Sequence, residues 1–202
     1  MQVKGFNILN RIYPDMVWRM DDEEGVFLTF DDGPTPGVTE WILATLRRYG
    51  AKATFFVLGK NVEQYPDLYE KILAEGHKIG NHTYSHQKGW RMSLERYLED
   101  VDFADDILHT ELFRPPYAQI TPSQCRAVAQ RYKVVMWDII SRDYNTHLSG
   151  KDCVKGVVPY IRPGSIIAFH DSEKSFRNMS YALPRILDHI RNLGLVAKAI
   201  EL

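Results

Sequence analysis

Asp31 and Asp32 stand side by side at the end of an apolar run, Val26 to Phe30, and Gly33-Pro34 follows at once. Strand, acids and chain breaker in that order bring charge to the edge of a pocket. Two neighbouring carboxylates repel, so placing them on a buried edge requires a cation or hydrogen-bond donors in compensation. Two imidazoles lie four residues apart in His82-Thr83-Tyr84-Ser85-His86. If that segment turns helically, both rings share one face and can grip one metal ion. Two His and one carboxylate leave positions open for water and substrate, as in a catalytic metal site, and these donor types suit Zn²⁺ among other ions. Arg114 precedes Pro115-Pro116-Tyr117. The prolines fix the backbone there, so the guanidinium is held as a partner for a charged carboxylate. His170 closes the apolar run Ser165 to Phe169 and titrates in the range of a general acid, with Asp143 or Asp171 to orient it. Taken singly, the acid pair and the histidines are more often structural, and an arginine before such a turn is structural about as often as not. Their joint occurrence carries the argument.

The elements that must position them alternate along the chain. Residues 1–24 form a lead-in with little periodicity. Strands are expected at Val26–Phe30, Thr54–Leu58, Lys78–Asn81, Leu112–Phe113, Lys133–Ile139, Ser165–Phe169 and Leu195–Ile200. Helices are expected at Thr35–Tyr49, Leu68–Ala74, Ser93–Thr110, Thr121–Arg131, Lys151–Tyr160 and Tyr181–Asn192. Ser93 reads as an N-cap, with Leu94, Tyr97, Leu98, Val101 and Ala104 on one face. Continuous apolar strands between helices imply a mostly parallel sheet covered by helices, either an α/β barrel or an open doubly wound sheet. With no linker or repeat, residues 25–202 read as one domain. In such folds sites gather at the carboxyl ends of strands. Asp31/Asp32, His82/His86, Arg114, Asp143 and His170 all lie just past expected strand ends.

The chain has 202 residues, 45% of them hydrophobic and 25% charged, with a formal net charge of −1. That balance argues against a general nucleic-acid binder, which needs an excess of Lys and Arg. No GxGxxG or Walker-type loop follows the first strand, which counts against dinucleotide and P-loop chemistry. No apolar run reaches the length of a membrane span. Met1 to Glu24 lacks the apolar core of a signal peptide, so the expected location is cytoplasmic. Cys125 and Cys153, far apart and without metal-type spacing, are expected as free thiols.

Thr29–Pro34, His82–His86, Arg114–Tyr117, Asp143 and Gly164–Asp171 together resemble the ordered motifs of the polysaccharide deacetylases. This is the NodB-homology group, also called carbohydrate esterase family 4. The resemblance spans residues 25–200. It implies a distorted, incomplete (β/α) barrel and metal-dependent removal of N- or O-acetyl groups from amino-sugar-containing glycans. It implies that Asp31 is the base and that Asp32, His82 and His86 hold one divalent ion, Zn²⁺ first and Co²⁺ or Ni²⁺ as alternatives. Arg114 resembles the residue that pairs with the base, Tyr117 the position whose N–H faces the oxyanion, and His170 the acid, oriented by Asp143. Pro34, Trp90 and Tyr144 are the further expected substrate contacts, Trp90 as a stacking platform beside Lys88, Gly89 and Arg91.

The sequence departs from the family pattern at Ala118, where Gly is usual, and at Tyr144, where Trp is usual. It departs also at Ile140, where an Asp is replaced, and at Ala168, where the family has Leu in the acyl pocket. The Ala118 change is mild if the backbone there keeps a negative φ. These changes touch the pocket wall and leave the metal and acid/base set intact. A metal-dependent amidase acting on a small N-acyl or cyclic amide, and a glycan-binding module without turnover, are the alternative readings. Trp41 and Trp137 are expected in the core. His77, His109 and His189 are expected to be structural or on the surface, and His147 to edge the site at most.

Overall fold

The computed structural model describes residues 12–201. The first eleven residues of the expected lead-in lie outside the described set. The rest of the lead-in is not featureless: β1 (Met16–Val17) pairs in parallel with a strand that begins at Lys133. Two residues are too few to show a period, which is why the sequence hid it.

The central strand is β2 (Gly25–Asp31), buried along its whole length. Residues of a strand alternate between its faces, and the two faces of β2 enter different clusters. Val26, Leu28 and Phe30 join the core beneath the helices. Phe27 joins a second cluster with Phe56, Val135 and Ile166. Thr29 and Asp31 continue the Phe27 face upward. Phe30 is fully buried and stacks between Phe55 and Phe169 at 5.1 and 5.7 Å.

Helix α1 (Val38–Tyr49) ends at Gly50, whose φ of 62° gives the left-handed stop that glycine supplies readily. It begins three residues later than expected. Strand β3 (Thr54–Val57) follows. The sequence reading then missed α2 (Gly59–Gln64), a short helix with a single apolar buried position, Val62. After α3 (Pro66–Ala74) comes β4 (Lys78–Asn81), as expected. Helix α4 (Leu94–Leu108) starts from Ser93, whose hydroxyl accepts from the Arg96 N–H. Its buried face is Tyr97, Val101, Ala104 and Leu108, while Leu94 is exposed.

Strand β5 (Leu112–Phe113) and helix α5 (Pro122–Val128) follow. The single strand expected over Lys133–Ile139 is two strands. β6 (Lys133–Val135) pairs with β5 and β1, and β7 (Ile139–Ile140) pairs with the strand at 166–170. The switch falls at Asp138, whose buried carboxylate accepts from the Ile166 N–H and pairs with Arg162. A buried charge needs such partners, so the run leaves one neighbour for another there. Helix α6 (Gly150–Val157) and strand β8 (Ile166–His170) precede α7 (Glu173–Asn192), which starts eight residues before the expected Tyr181. Its first turns bury Ser175 and Asn178, polar residues that conceal the apolar period. β9 (Val196–Lys198) completes the sheet beside β2.

The sheet runs β1-β6-β5-β4-β3-β2-β8-β7, with parallel pairings throughout and β9 attached to β2. This is the incomplete (β/α) barrel that the resemblance implied. No helix among the described residues is long and apolar enough to cross a membrane. Both cysteines are free and buried.

Candidate active site

The register between β2 and β8 sets Asp31 directly beside His170. Inside the barrel the face they share is layered. Phe27, Phe56 and Ile166 form an apolar floor. Arg114 lies above them, fully buried, with its guanidinium 4.0 Å from the Phe56 ring centroid and 5.4 Å from that of Trp137. Its Nε donates to the Val135 carbonyl at 3.0 Å and one terminal nitrogen to the Met136 carbonyl at 2.8 Å. The other donates to the Thr29 hydroxyl and to Asp31 Oδ1, both at 2.7 Å. A buried guanidinium requires this degree of satisfaction. One Asp31 oxygen is thereby engaged from within the barrel.

His170 is oriented by Asp143, not by Asp171. Asp143 Oδ1 is 2.8 Å from His170 Nδ1, and Oδ2 accepts from the His170 backbone N–H at 2.9 Å. An ionised carboxylate only accepts, so Nδ1 carries the proton of this bond and Nε2 is left for other work. Burial alone would lower the His170 pKa. The Asp143 carboxylate, with Asp31 and Asp32 behind it, outweighs burial and raises it to about 9. Asp171 is buried on the other side of the turn, its backbone N–H donating to the Asp31 carbonyl and its Oδ2 accepting from Thr39. Burial pushes its carboxyl up to about 8. A Cβ on Gly33 would overlap that carboxylate, so only glycine fits the turn.

The pair His82 and His86 does not sit on a helix. The segment is an irregular turn, with φ of 65° at Thr83 and 61° at His86. It is pinned from two sides. The Asn81 side chain accepts from the Thr83 N–H, and Asp100 of α4 accepts from Ser85 while its carbonyl accepts from the Tyr84 N–H. His82 Nδ1 donates to the Arg114 carbonyl at 2.7 Å, which leaves the Nε2 lone pair free. Asp32 Oδ1 lies 3.1 Å from His86 Nε2 and 3.7 Å from His82 Nε2. Burial disfavours the charged Asp32, but the imidazoles of His86, His170 and His82 outweigh it, and the carboxyl sits below its ordinary value. Burial brings His82 down to about 4, so its ring is neutral and able to ligate. One ligand atom from each of Asp32, His82 and His86 lies within 4.8 Å of the other two. Two imidazole nitrogens and a carboxylate oxygen converging in this way fit a divalent cation.

Tyr117 and Ala118 form a tight turn after Arg114, and both have positive φ, 57° and 56°. The mild outcome expected for Ala118 required a negative φ and is corrected. Alanine occupies a left-handed position that glycine fills more cheaply. The turn's own hydrogen bonds use the N–H groups of Ala118 and Gln119. The Tyr117 ring is 4.5 Å from that of His86, and the Tyr144 ring is 4.8 Å from that of His170. Both tyrosines are exposed on the rim. Trp90 is 64% exposed, with its indole N–H donating to the Ile120 carbonyl. Pro34 is buried, so it shapes the turn and offers little open surface. Ala168 is fully buried, two residues before His170 and hence on the same face of β8. Trp41 and Trp137 are only partly buried. His77 is buried, accepting from the Ala53 N–H, while His109 and His147 are exposed.

The sequence reading missed the residues that hold these groups. Asn178 donates to the carbonyls of Asp143 and Asn145, Asn61 to that of Asp32, and Asp100 braces the histidine turn. Isolated polar residues on helices carry no local signal of such a duty.

Comparison with known proteins follows the same outline. A family model described as polysaccharide deacetylase matches residues 19–137. A peptidoglycan-N-acetylglucosamine deacetylase of Bacillus cereus is 34% identical over 177 residues, covering 84% of this chain and 64% of that protein. A second protein of that name from the same species is 32% identical over 188 residues, covering 89% of this chain and 88% of its own. The chain thus spans a little under two thirds of the first relative's length. The crystal structure of a peptidoglycan N-acetylglucosamine deacetylase in complex with 4-naphthalen-1-yl-N-oxidanyl-benzamide superimposes with a TM-score of 0.86 at 29% identity, covering 93% of this chain and 91% of that one. Motif order, barrel and relatives agree that the chain belongs to the polysaccharide deacetylase family.

Proposed function

We propose that the chain is a metal-dependent hydrolase that removes N-acetyl, or O-acetyl, groups from an amino-sugar-containing glycan. The observation that carries this reading is the Asp31–His170 register, which puts a carboxylate and an imidazole at neighbouring strand ends beside the Asp32, His82 and His86 set. Asp32, His82 and His86 would hold the ion, Zn²⁺ by donor type, with Co²⁺ or Ni²⁺ as substitutes. When bound, such an ion supplies Lewis-acid polarisation of the acyl carbonyl and lowers the pKa of a water molecule.

The protein's own groups have separable tasks. Asp31, with one oxygen held by Arg114, takes a proton from the water as it attacks the acyl carbon. The Tyr117 N–H donates to the carbonyl oxygen as negative charge develops there, a contribution of about 3–4 kcal/mol for one such donor in other enzymes. His170, held through Nδ1 by Asp143, gives a proton from Nε2 to the leaving nitrogen or oxygen as its bond to the acyl carbon breaks. Acetate and the free amine or hydroxyl depart, and atoms balance with one water consumed. Tyr144 and Tyr117 flank these groups and offer aromatic faces to a sugar ring.

The test is acetate release from a soluble N-acetylglucosamine oligomer, with Zn²⁺ or Co²⁺ supplied and a chelator as control. Release that the chelator abolishes supports the reading. A protein that holds stoichiometric metal yet releases no acetate from any acetylated oligosaccharide refutes it.

A further inference from the structure

Asp171 is an acid that the chemistry above does not use. It is fully buried, and its carboxyl receives a single hydrogen bond, from the Thr39 hydroxyl to Oδ2 at 2.7 Å. The other oxygen, Oδ1, is sealed from solvent and has no hydrogen-bond partner among the described residues. The charges that act on the group are those of Asp32 and Glu40, both negative. A carboxylate enclosed in this way would be uncompensated, whereas a neutral acid is tolerated at far lower cost.

The same residue is tied to both ends of the Asp31–Pro34 turn. Its backbone N–H donates to the Asp31 carbonyl at 2.6 Å, and its carbonyl accepts from the Thr35 hydroxyl at 2.8 Å. Thr39, which donates to Oδ2, also accepts from the Thr35 N–H at 2.7 Å. Between those ends the carboxyl lies against Gly33, where a Cβ would overlap it.

This turn needs bracing. Asp32 has a φ of 83°, a left-handed backbone that costs a residue with a side chain about 1–2 kcal/mol. Such a conformation persists only where its surroundings over-determine it. β3 and α2 hold the turn through the Asp32 N–H to the Phe56 carbonyl, the Asn61 amide to the Asp32 carbonyl and the Leu58 N–H to the Gly33 carbonyl. Asp171 is what the end of β8 contributes. The two carboxylates of the turn meet different groups, Asp31 the Arg114 guanidinium and Asp32 the imidazoles of His82 and His86. A small rotation of the backbone between them would misplace one against the other.

The geometry points to Asp171 as a positioning residue, a neutral carboxylic acid that locks the turn so that Asp31 and Asp32 keep their separate partners. This goes beyond the deacetylase reading, on which only its activity readout rests. Neutrality suits the place, because a third anion beside Asp31 and Asp32 would repel both. Burial, which pushes the Asp171 carboxyl up to about 8, acts in the same direction.

The experiment compares Asp171→Asn, which keeps the shape and neutrality of the acid, with Asp171→Ala and Thr39→Val, which remove the carboxyl and its one donor. Each is assayed by acetate release from an N-acetylglucosamine oligomer, per metal-loaded molecule. In the Ala and Val variants kcat is expected to fall about tenfold to a hundredfold with KM little changed, and Asp171→Asn to hold kcat within about twofold of the parent. An infrared difference spectrum between the parent and Asp171→Asn at neutral pH is expected to show the C=O band of a protonated carboxyl in the parent. If Asp171→Ala does not fold, Thr39→Val carries the comparison. Parental kcat in the Ala and Val variants, an Asn variant as impaired as these, or a carboxylate band in place of the C=O band overturns the assignment while leaving deacetylation standing. Absence of acetate from the metal-loaded parent removes the deacetylase reading and the positioning role with it, and the infrared band then still decides whether the buried acid is neutral.

Discussion

Replacing Arg114 by Leu tests whether the barrel interior is organised around one ion pair. Arg114 and Asp31 are both buried, and the pair is 2.7 Å apart. Leucine fills part of the volume over Phe56 but leaves the Asp31 carboxylate without its counter-charge. Breaking a buried pair from one side costs about 3–5 kcal/mol. The hydroxyl of Thr29 and the carbonyls of Val135 and Met136 lose a donor at the same time. Against a total stability of about 5–15 kcal/mol, that loss is large. Urea unfolding with chelator present, so that metal binding does not add to the native state, reads it directly. For a slope of about 2 kcal/mol/M the midpoint should fall by about 1.5–2.5 M. The double variant Asp31→Asn, Arg114→Leu removes both charges and should recover at least half of the loss. A single variant that loses less than about 1 kcal/mol, or a double variant no more stable than the single one, would show that the pair does not organise the interior.

The raised His170 pKa gives a pH dependence. If protonated His170 is the acid, turnover falls as pH climbs through about 9, and Asp143→Asn should move that alkaline limb to lower pH; a limb that stays in place would remove Asp143 from the role. In stability the same shift has a definite sign. The folded pKa exceeds the unfolded value, so the contribution is complete below about pH 6.5 and is lost as pH rises through about 9. At Ala118, relief of a left-handed strain of about 1 kcal/mol is offset by the larger unfolded-state entropy of glycine. Ala118→Gly should therefore stay within about 0.5 kcal/mol of the parent in thermal unfolding, while Ala118→Val, with a β-branched side chain at φ 56°, should lower the melting temperature measurably. His82→Ala should abolish stoichiometric metal in elemental analysis of the folded protein, and a metal content equal to the parent's would take His82 out of the site.

The fold was legible in sequence where strands are continuous apolar runs and helices carry a clear period, as at β2, β3, β8 and α4. It was illegible where tertiary bonds override local pattern. Asp138 splits one apolar run into two strands because its charge must meet Ser165, Ile166 and Arg162, which are distant in sequence. Asn178 lies in a polar helical turn whose purpose is visible only beside Asp143. The residues that converge in the candidate site were legible by type and order. Their geometry was not, since the histidine turn takes its shape from Asn81 and Asp100 and not from a helical period. The positive φ of Ala118 has no sequence signature at all, because alanine is an unusual choice for it.

The β2–β8 pairing also has a consequence in time. β2 leaves the ribosome well before β8, the strand that covers its far edge and ends at residue 170. At about 5–20 residues per second, synthesis leaves that edge uncovered for roughly 7–30 s. Throughout that interval the nascent chain presents a long, apolar, unpaired ladder, the kind of surface that recruits other chains. Local contacts can form the first half early, but the closing pairs are distant in sequence and slow to find one another. A chain built this way depends on holding the β2 edge in check until Ile166–His170 has been made.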